Sequence, residues 1–208
     1  MKSTTQLPAG TLFLADNVAL DFINTQYGAG DHHHDGFTDD NSVMTWLQAA
    51  KLLSPEVQNK APTGLLVLAR QLRNQAREVV AAAMTGSSAK SELINQILEL
   101  GRPRRELTWD SENNAYKLIT QIRDNSPACL LEPVAKALAQ LLTSSKFEYV
   151  RCCEADDCVL LFHDLTKSHR RRWCSMATCG NRMKVAAFRA RKGNSTNGKR
   201  LSKDGDKP

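Results

Sequence analysis

The chain has 208 residues, 41% hydrophobic and 24% charged, enough for one large domain or two small ones around a real core. No apolar run approaches the roughly 18 residues that span a membrane. Pro8, Gly10 and Asp16 also interrupt any N-terminal export segment, so a soluble protein working in the cytoplasm, where it is made, is expected. The net charge of +6 is unevenly placed: residues 1–164 carry 15 Lys+Arg against 20 Asp+Glu, and residues 165–208 carry 13 against 2, a local +11. A mildly acidic body with a strongly basic end points to a polyanion at that end, nucleic acid first. A solvated, solubilising tail is the plain alternative.

In chain order, residues 1–10 have little pattern. Thr11 to Gln26 offers Leu12, Leu14, Val18, Leu20, Phe22 and Ile23 to a core. It reads as a short extended segment, with a hairpin about Asp16-Asn17 or a helix over its second half. Residues 27–40 are rich in Gly, Asp and His and read as a loop. Asn41 or Ser42 can cap a helix carrying Val43, Met44, Trp46, Leu47 and Ala50. Ser54-Pro55-Glu56 is another helix start. Leu65, Leu68, Leu72, Ala76, Val79 and Ala83 predict a long amphipathic helix that stops at Gly86. Leu93 to Leu100 make a further helix closed by Gly101 and Pro103. The period then changes. Leu107-Thr108-Trp109 and Ala115 to Ile119 flank Asp110 to Asn114, which predicts a β-hairpin. Residues 130–143 return to a helical period through Val134, Ala135, Leu138, Leu141 and Leu142.

From Phe147 the chain has too little apolar material for a core of its own and needs a staple. Five of the six cysteines lie between 152 and 179. Cys153 and Cys158 have four residues between them, as do Cys174 and Cys179, and fifteen separate the pairs. Two close pairs divided by a short segment suit a tetrahedral structural zinc. Four thiolates leave no open position for water, so a hydrolytic metal is not expected. A disulfide switch is a weaker reading, because neither pair has the C-x-x-C spacing. Cys152 beside Cys153 leaves the first ligand's register open, with the matched gaps favouring Cys153. Cys129 reads as a small core residue. Val159 to Phe162 and His169 to Trp173 would form a hairpin between the pairs. Asn181 to Lys192 would form a helix starting at the second pair, in a treble-clef or zinc-ribbon-like arrangement. A helix N-terminus favours thiolates through its free N–H groups.

The stretch Cys153 to Lys192 resembles the CGNR zinc finger, above all in Arg171-Arg172-Trp173-Cys174-Ser175-Met176 and Cys179-Gly180-Asn181-Arg182. Upstream, Leu20-Asp21-Phe22-Ile23-Asn24-Thr25 and Trp46-Leu47 resemble the ABATE domain that precedes this finger in bacterial proteins. The resemblance implies a stress-induced transcriptional regulator with an α/β N-terminal domain and a DNA-binding finger. It also implies zinc on Cys153, Cys158, Cys174 and Cys179.

The fold class expected is α+β, a mainly helical N-terminal domain with a small sheet over residues 1–146. A zinc finger over 147–192 and a disordered basic tail over 193–208 would follow. The N-terminal part is expected to fold alone. Arg170, Arg171, Arg172, Arg182, Lys184, Arg189, Arg191 and Lys192 are the candidate DNA contacts, phosphate before base. Helical geometry brings Arg182 near Arg189 and Lys184 near Arg191, while Val185, Ala186 and Phe188 would pack on the finger. Asn181 reads as the helix cap. An acidic knuckle, Glu154, Asp156 and Asp157, would not favour phosphate nearby. Asp21 and Asn24, polar amid apolar neighbours, would form a hydrogen-bonding network or line a pocket for a small-molecule effector, with the network favoured. His32-His33-His34 reads as a polar surface patch rather than a metal site, and His163 and Asp164 as structural. Duplex DNA is the expected partner, in association with the nucleoid. A homodimer is open, a membrane is not expected, and RNA or a protein partner is the alternative to DNA. No Gly-rich phosphate loop, nucleophile elbow or H-E-x-x-H occurs, so no enzyme is expected.

Overall fold

The computed structural model describes residues 13–28, 34–53, 60–156 and 158–197, the side chains of 193–197 excepted. Leu12, Asp31 to His33, the helix start at Ser54, Asp157 and the tail from 198 lie outside the described residues. The body is helical. The chain enters it through Asp16, whose φ of 54° reverses direction. Helix α1 (Val18–Ile23) follows, its first amides accepted by the Asn17 side chain. The hairpin considered about Asp16-Asn17 is therefore not formed, and the helical alternative holds. Helix α2 (Asp40–Ala49) is capped by Asp39 rather than by Asn41 or Ser42. Ser42 N donates to Asp39 Oδ1 at 2.7 Å, and Asp39 N donates back to Ser42 Oγ at 3.1 Å, a reciprocal box that satisfies two free amides.

Helix α3 (Leu65–Met84) buries Leu65, Ala69, Leu72, Ala76 and Val80, one stripe at helical spacing. Helix α4 (Glu92–Leu100) buries Ile94 and Ile97. Its end passes so close to helix α5 (Pro127–Leu142) that a Cβ on Gly101 would meet Ala128 O at 2.4 Å. Helix α5 is the axis of the body. It buries Leu130, Leu131, Val134, Ala135, Leu138 and Leu141 and packs against α1, α3 and α4. Each of the Leu and Val side chains stabilises by roughly 1.5–3 kcal/mol when fully buried.

Among the described residues there are three sheets, each two-stranded and antiparallel. Strands β1 (Gln26–Tyr27) and β2 (His34–Asp35) pair inside the segment expected to be loop. Strands β3 (Arg104–Asp110) and β4 (Ala115–Gln121) form the expected hairpin, with Leu107 opposite Leu118 and Trp109 opposite Tyr116. Strand β5 (Val150–Cys152) pairs with β6 (Leu161–His163). The finger hairpin thus flanks the first cysteine pair instead of lying between the pairs, and His169 to Trp173 is not a strand. Three-residue strands carry no period that a sequence can display, so the pairing of β6 with β5 is not legible in it.

The finger does not sit apart from the body. One buried cluster runs from Ala15 through Leu141 to Phe162, Cys174 and Cys179. Asn24 acts as a third strand beside β6: its Nδ2 donates to Leu161 O at 2.7 Å, and its Oδ1 accepts from Leu161 N at 3.0 Å. His163 N donates to Ala15 O at 2.7 Å. Arg171 donates to Leu14 O at 2.7 Å and pairs with Asp16.

Candidate metal centre and nucleic-acid interface

The four cysteines singled out by spacing come together from two chain reversals. Cys153 leaves β5 with its N–H donating to Leu160 O at 2.9 Å, and Cys158 N donates to Ala155 O at 2.9 Å, which closes the first knuckle. The second pair lies where the chain enters helix α6 (Asn181–Asn197). A wide turn over Met176–Gly180 precedes it, capped by Ser175, whose Oγ accepts from Thr178 N at 3.4 Å. Ser175, not Asn181, is therefore the cap. Asn181 lies inside the helix and its Nδ2 donates to Ala177 O at 3.4 Å. Gly180 of the C-G-N-R run has a steric reason: a Cβ there would meet Met176 Sδ at 2.8 Å and crowd Trp173.

The Sγ atoms of Cys153, Cys158, Cys174 and Cys179 lie within 4.8 Å of one another. Cys158 and Cys174 are 3.8 Å apart, and Cys174 and Cys179 are 3.6 Å apart. A tetrahedron with zinc–sulfur bonds of about 2.3 Å has edges of roughly 3.8 Å, so the donors already stand at the required spacing. Cys152 is exposed on β5 and outside the group, which settles the register in favour of Cys153. Without a cation the four cannot all ionise. The hydrogen bond to Cys158 and burial push the Cys174 thiol up, burial and neighbouring thiolate charge push Cys179 up, and Cys158 is drawn down by the bond from Cys174. Donors for the resulting negative charge are in place. Cys174 N points at Cys153 Sγ at 3.3 Å, and Arg182 Nη2 at Cys179 Sγ at 3.5 Å.

The basic residues separate into three groups. Arg171 turns inward. It donates to Leu14 O, Trp173 O and Cys174 O, pairs with Asp16, and stacks over Phe162 at 4.4 Å. Arg172 lies over Trp173 at 5.1 Å and binds Glu154 at 2.6 Å, which neutralises part of the acidic knuckle. Arg170 is exposed. The segment carrying all three is pinned by Asp164, which accepts from Thr166 N, Thr166 Oγ1 and Arg171 N. Burial would raise that carboxyl, but these bonds outweigh it and hold it below the usual range. His163 Nε2 donates to Lys146 O, 3.0 Å away. On α6, Lys184, Arg189, Arg191 and Lys192 are exposed. Val185 and Phe188 are exposed too, at 47% and 60%, so they do not pack on the finger as expected. The helix continues to Asn197, beyond the expected end at Lys192.

Asp21 and Asn24 are spent on backbone. Asp21 Oδ1 accepts from Leu14 N and Ala15 N, each at 2.9 Å. Burial pushes the Asp21 carboxyl up to about 6 in spite of those two bonds. His34 packs on Tyr27 at 4.8 Å, and Asp35 binds buried Arg73 through both oxygens at 2.6 and 2.7 Å. The Arg73 pair was not foreseen. A lone Arg on a helix carries no signal until its partner, 38 residues away, folds beside it.

A family model described as "Putative stress-induced transcription regulator", ABATE, matches residues 16–145. The chain belongs to the ABATE family. A CGNR zinc finger model matches residues 149–192 of this ABATE protein, the span that contains the thiol group and the start of α6. No curated protein gives a match. The donor set of the ABATE protein's finger, four thiols at tetrahedral spacing with N–H donors behind them, fits one zinc ion. Zinc held there supplies a closed cross-link between the β5–β6 knuckle and the α6 N-terminus, with no chemistry toward substrate. Among the described residues, no helix is long and apolar enough to cross a membrane.

Proposed function

We propose that this ABATE protein regulates transcription by binding duplex DNA through α6 and the adjoining arginine segment. The observation that carries this reading is the exposure of α6. Between Asn181 and Lys192 only Met183 is even half-buried, so roughly 18 Å of exposed basic helix projects from the thiol group. Such a helix can lie along phosphates or enter a major groove. Lys184, Arg189, Arg191, Lys192 and Arg170 are the proposed DNA contacts. Arg182 serves the thiolates first, and Arg171 and Arg172 position the segment through Asp16, Leu14 and Glu154. The body would bear on DNA binding through β6, because Asn24 and Ala15 hold that strand.

The test is the salt dependence of duplex binding. Each neutralised phosphate contributes a slope of about −0.9 in log affinity against log salt, so about five contacts give −4 to −5. Arg189→Ala or Arg191→Ala should each reduce the slope by about one. Lys199→Ala and Lys203→Ala should change affinity less and leave sequence preference alone. A slope that ignores both α6 variants would remove the helix from the interface.

Phe188 favours a second reading. An exposed aromatic on a basic helix can stack on an unpaired base or seat in a protein partner. Single-stranded RNA that competes with duplex DNA, and loses that advantage on Phe188→Ser, would favour it.

A further inference from the structure

The β3–β4 hairpin has its polarity reversed. A sheet with one face on a protein normally turns its apolar residues inward and its polar residues out. Here the face toward the body carries half-buried Thr108 and Ile119 beside exposed Glu106 and Lys117. The outward face carries Leu107, Trp109, Tyr116 and Leu118, exposed at 65%, 55%, 69% and 64%. These four are two directly opposed pairs, so they form one continuous patch, with the Trp109 and Tyr116 rings edge to face at 5.1 Å. A polar surface in this place would cost the fold nothing, so the patch calls for an occupant.

We propose that the occupant is a second copy of this chain, packed hairpin on hairpin about a two-fold axis with the strands of the two copies running oppositely. Charge placement supports this partner. Residues 104–121 hold three cations and three anions, so the hairpin as a whole is neutral. On the outward face Arg105 lies at the base, close enough to Glu132 of α5 to act on its charge, and Glu112 lies in the turn at the tip, whereas Arg104 and Asp110 sit on the opposite face. An antiparallel two-fold pairing sets the base of each copy against the tip of the other, so Arg105 of one faces Glu112 of its partner twice over. Arg105 shares the outward face with Leu107 and Trp109 by register. Area supports it as well. The four side chains present roughly 500 Å², and two copies bury about 1,000 Å², the lower bound for a specific interface. The acidic tip argues against nucleic acid on this face. The pairing is independent of what the finger binds.

Sedimentation of the full chain over a concentration series reaching about 100 μM, where an interface of this size is populated, tests the proposal. A reversible dimer is expected. Trp109→Ser should weaken it roughly thirtyfold, the loss typical of a central aromatic anchor. Its circular dichroism should be unchanged, because the side chain is already exposed. Arg105→Glu and Glu112→Arg should each weaken the dimer, and the two together should restore it. A monomer throughout, a dimer indifferent to Trp109→Ser, or a charge exchange that fails to rescue would each overturn the proposal.

Discussion

Asp21 shows how one buried carboxylate ties the chain's entry segment to α1. Its bonds to Leu14 N and Ala15 N fix the two residues through which Arg171 and His163 reach back from the finger. Burial leaves its pKa at about 6, above the ordinary value near 3.8. The unfolded chain therefore gives up this proton at lower pH than the folded one. Stability falls as pH rises from about 4 to 6 and stays lower above that window. Asp21→Asn keeps the accepting oxygen and removes the charge. It should stabilise the protein by roughly 2–3 kcal/mol near neutral pH and by nothing near pH 4. Urea unfolding at the two pH values checks this, and an equal effect at both would contradict it. At this scale the sequence was legible where chemistry repeats. The matched four-residue gaps favour Cys153 over Cys152. Asn24 was recognisable as a polar intruder, but its partner Leu161 lies 137 residues away and no local pattern names it.

At the scale of elements, α3, α4 and α5 were legible because each buries a stripe with helical period. The caps were misplaced by a few residues, since Asp39 and Ser175 act through side-chain geometry that neighbouring Asn and Ser residues mimic in sequence. The apolar residues of α6 misled for a different reason. Val185 and Phe188 sit three apart, as packing residues do, but among the described residues neither is covered. The finger knuckle makes a sharp prediction at this scale. Cys153→Ser should lower bound zinc well below one per chain, while Cys152→Ser, with its side chain outside the thiol group, should retain it. Metal analysis of the two purified variants separates them. Equal zinc in both would show that the ligand register is wrong.

At the scale of the whole molecule, the finger and the body share one core, and β6 is bonded to the body along its length. The sequence places a boundary near residue 146, because the chain beyond Phe147 has little apolar material and clusters its cysteines, and it places the change of charge later, after residue 164. Contacts between residues 15–24 and 161–171 are invisible to composition. The same interlock gives the thiol group a global role: it fixes the start of α6 against β6, and β6 against α1. DNA affinity should therefore depend on the metal site, although none of its ligands would touch DNA. The most direct measurement is duplex DNA affinity of the zinc-loaded protein before and after chelation, on sequences selected from a random pool. The account predicts a loss of at least about tenfold, together with loss of sequence preference, because the helix is no longer held in place. Affinity and preference unchanged by chelation would contradict it and assign binding to the basic charge of the C-terminal segment alone.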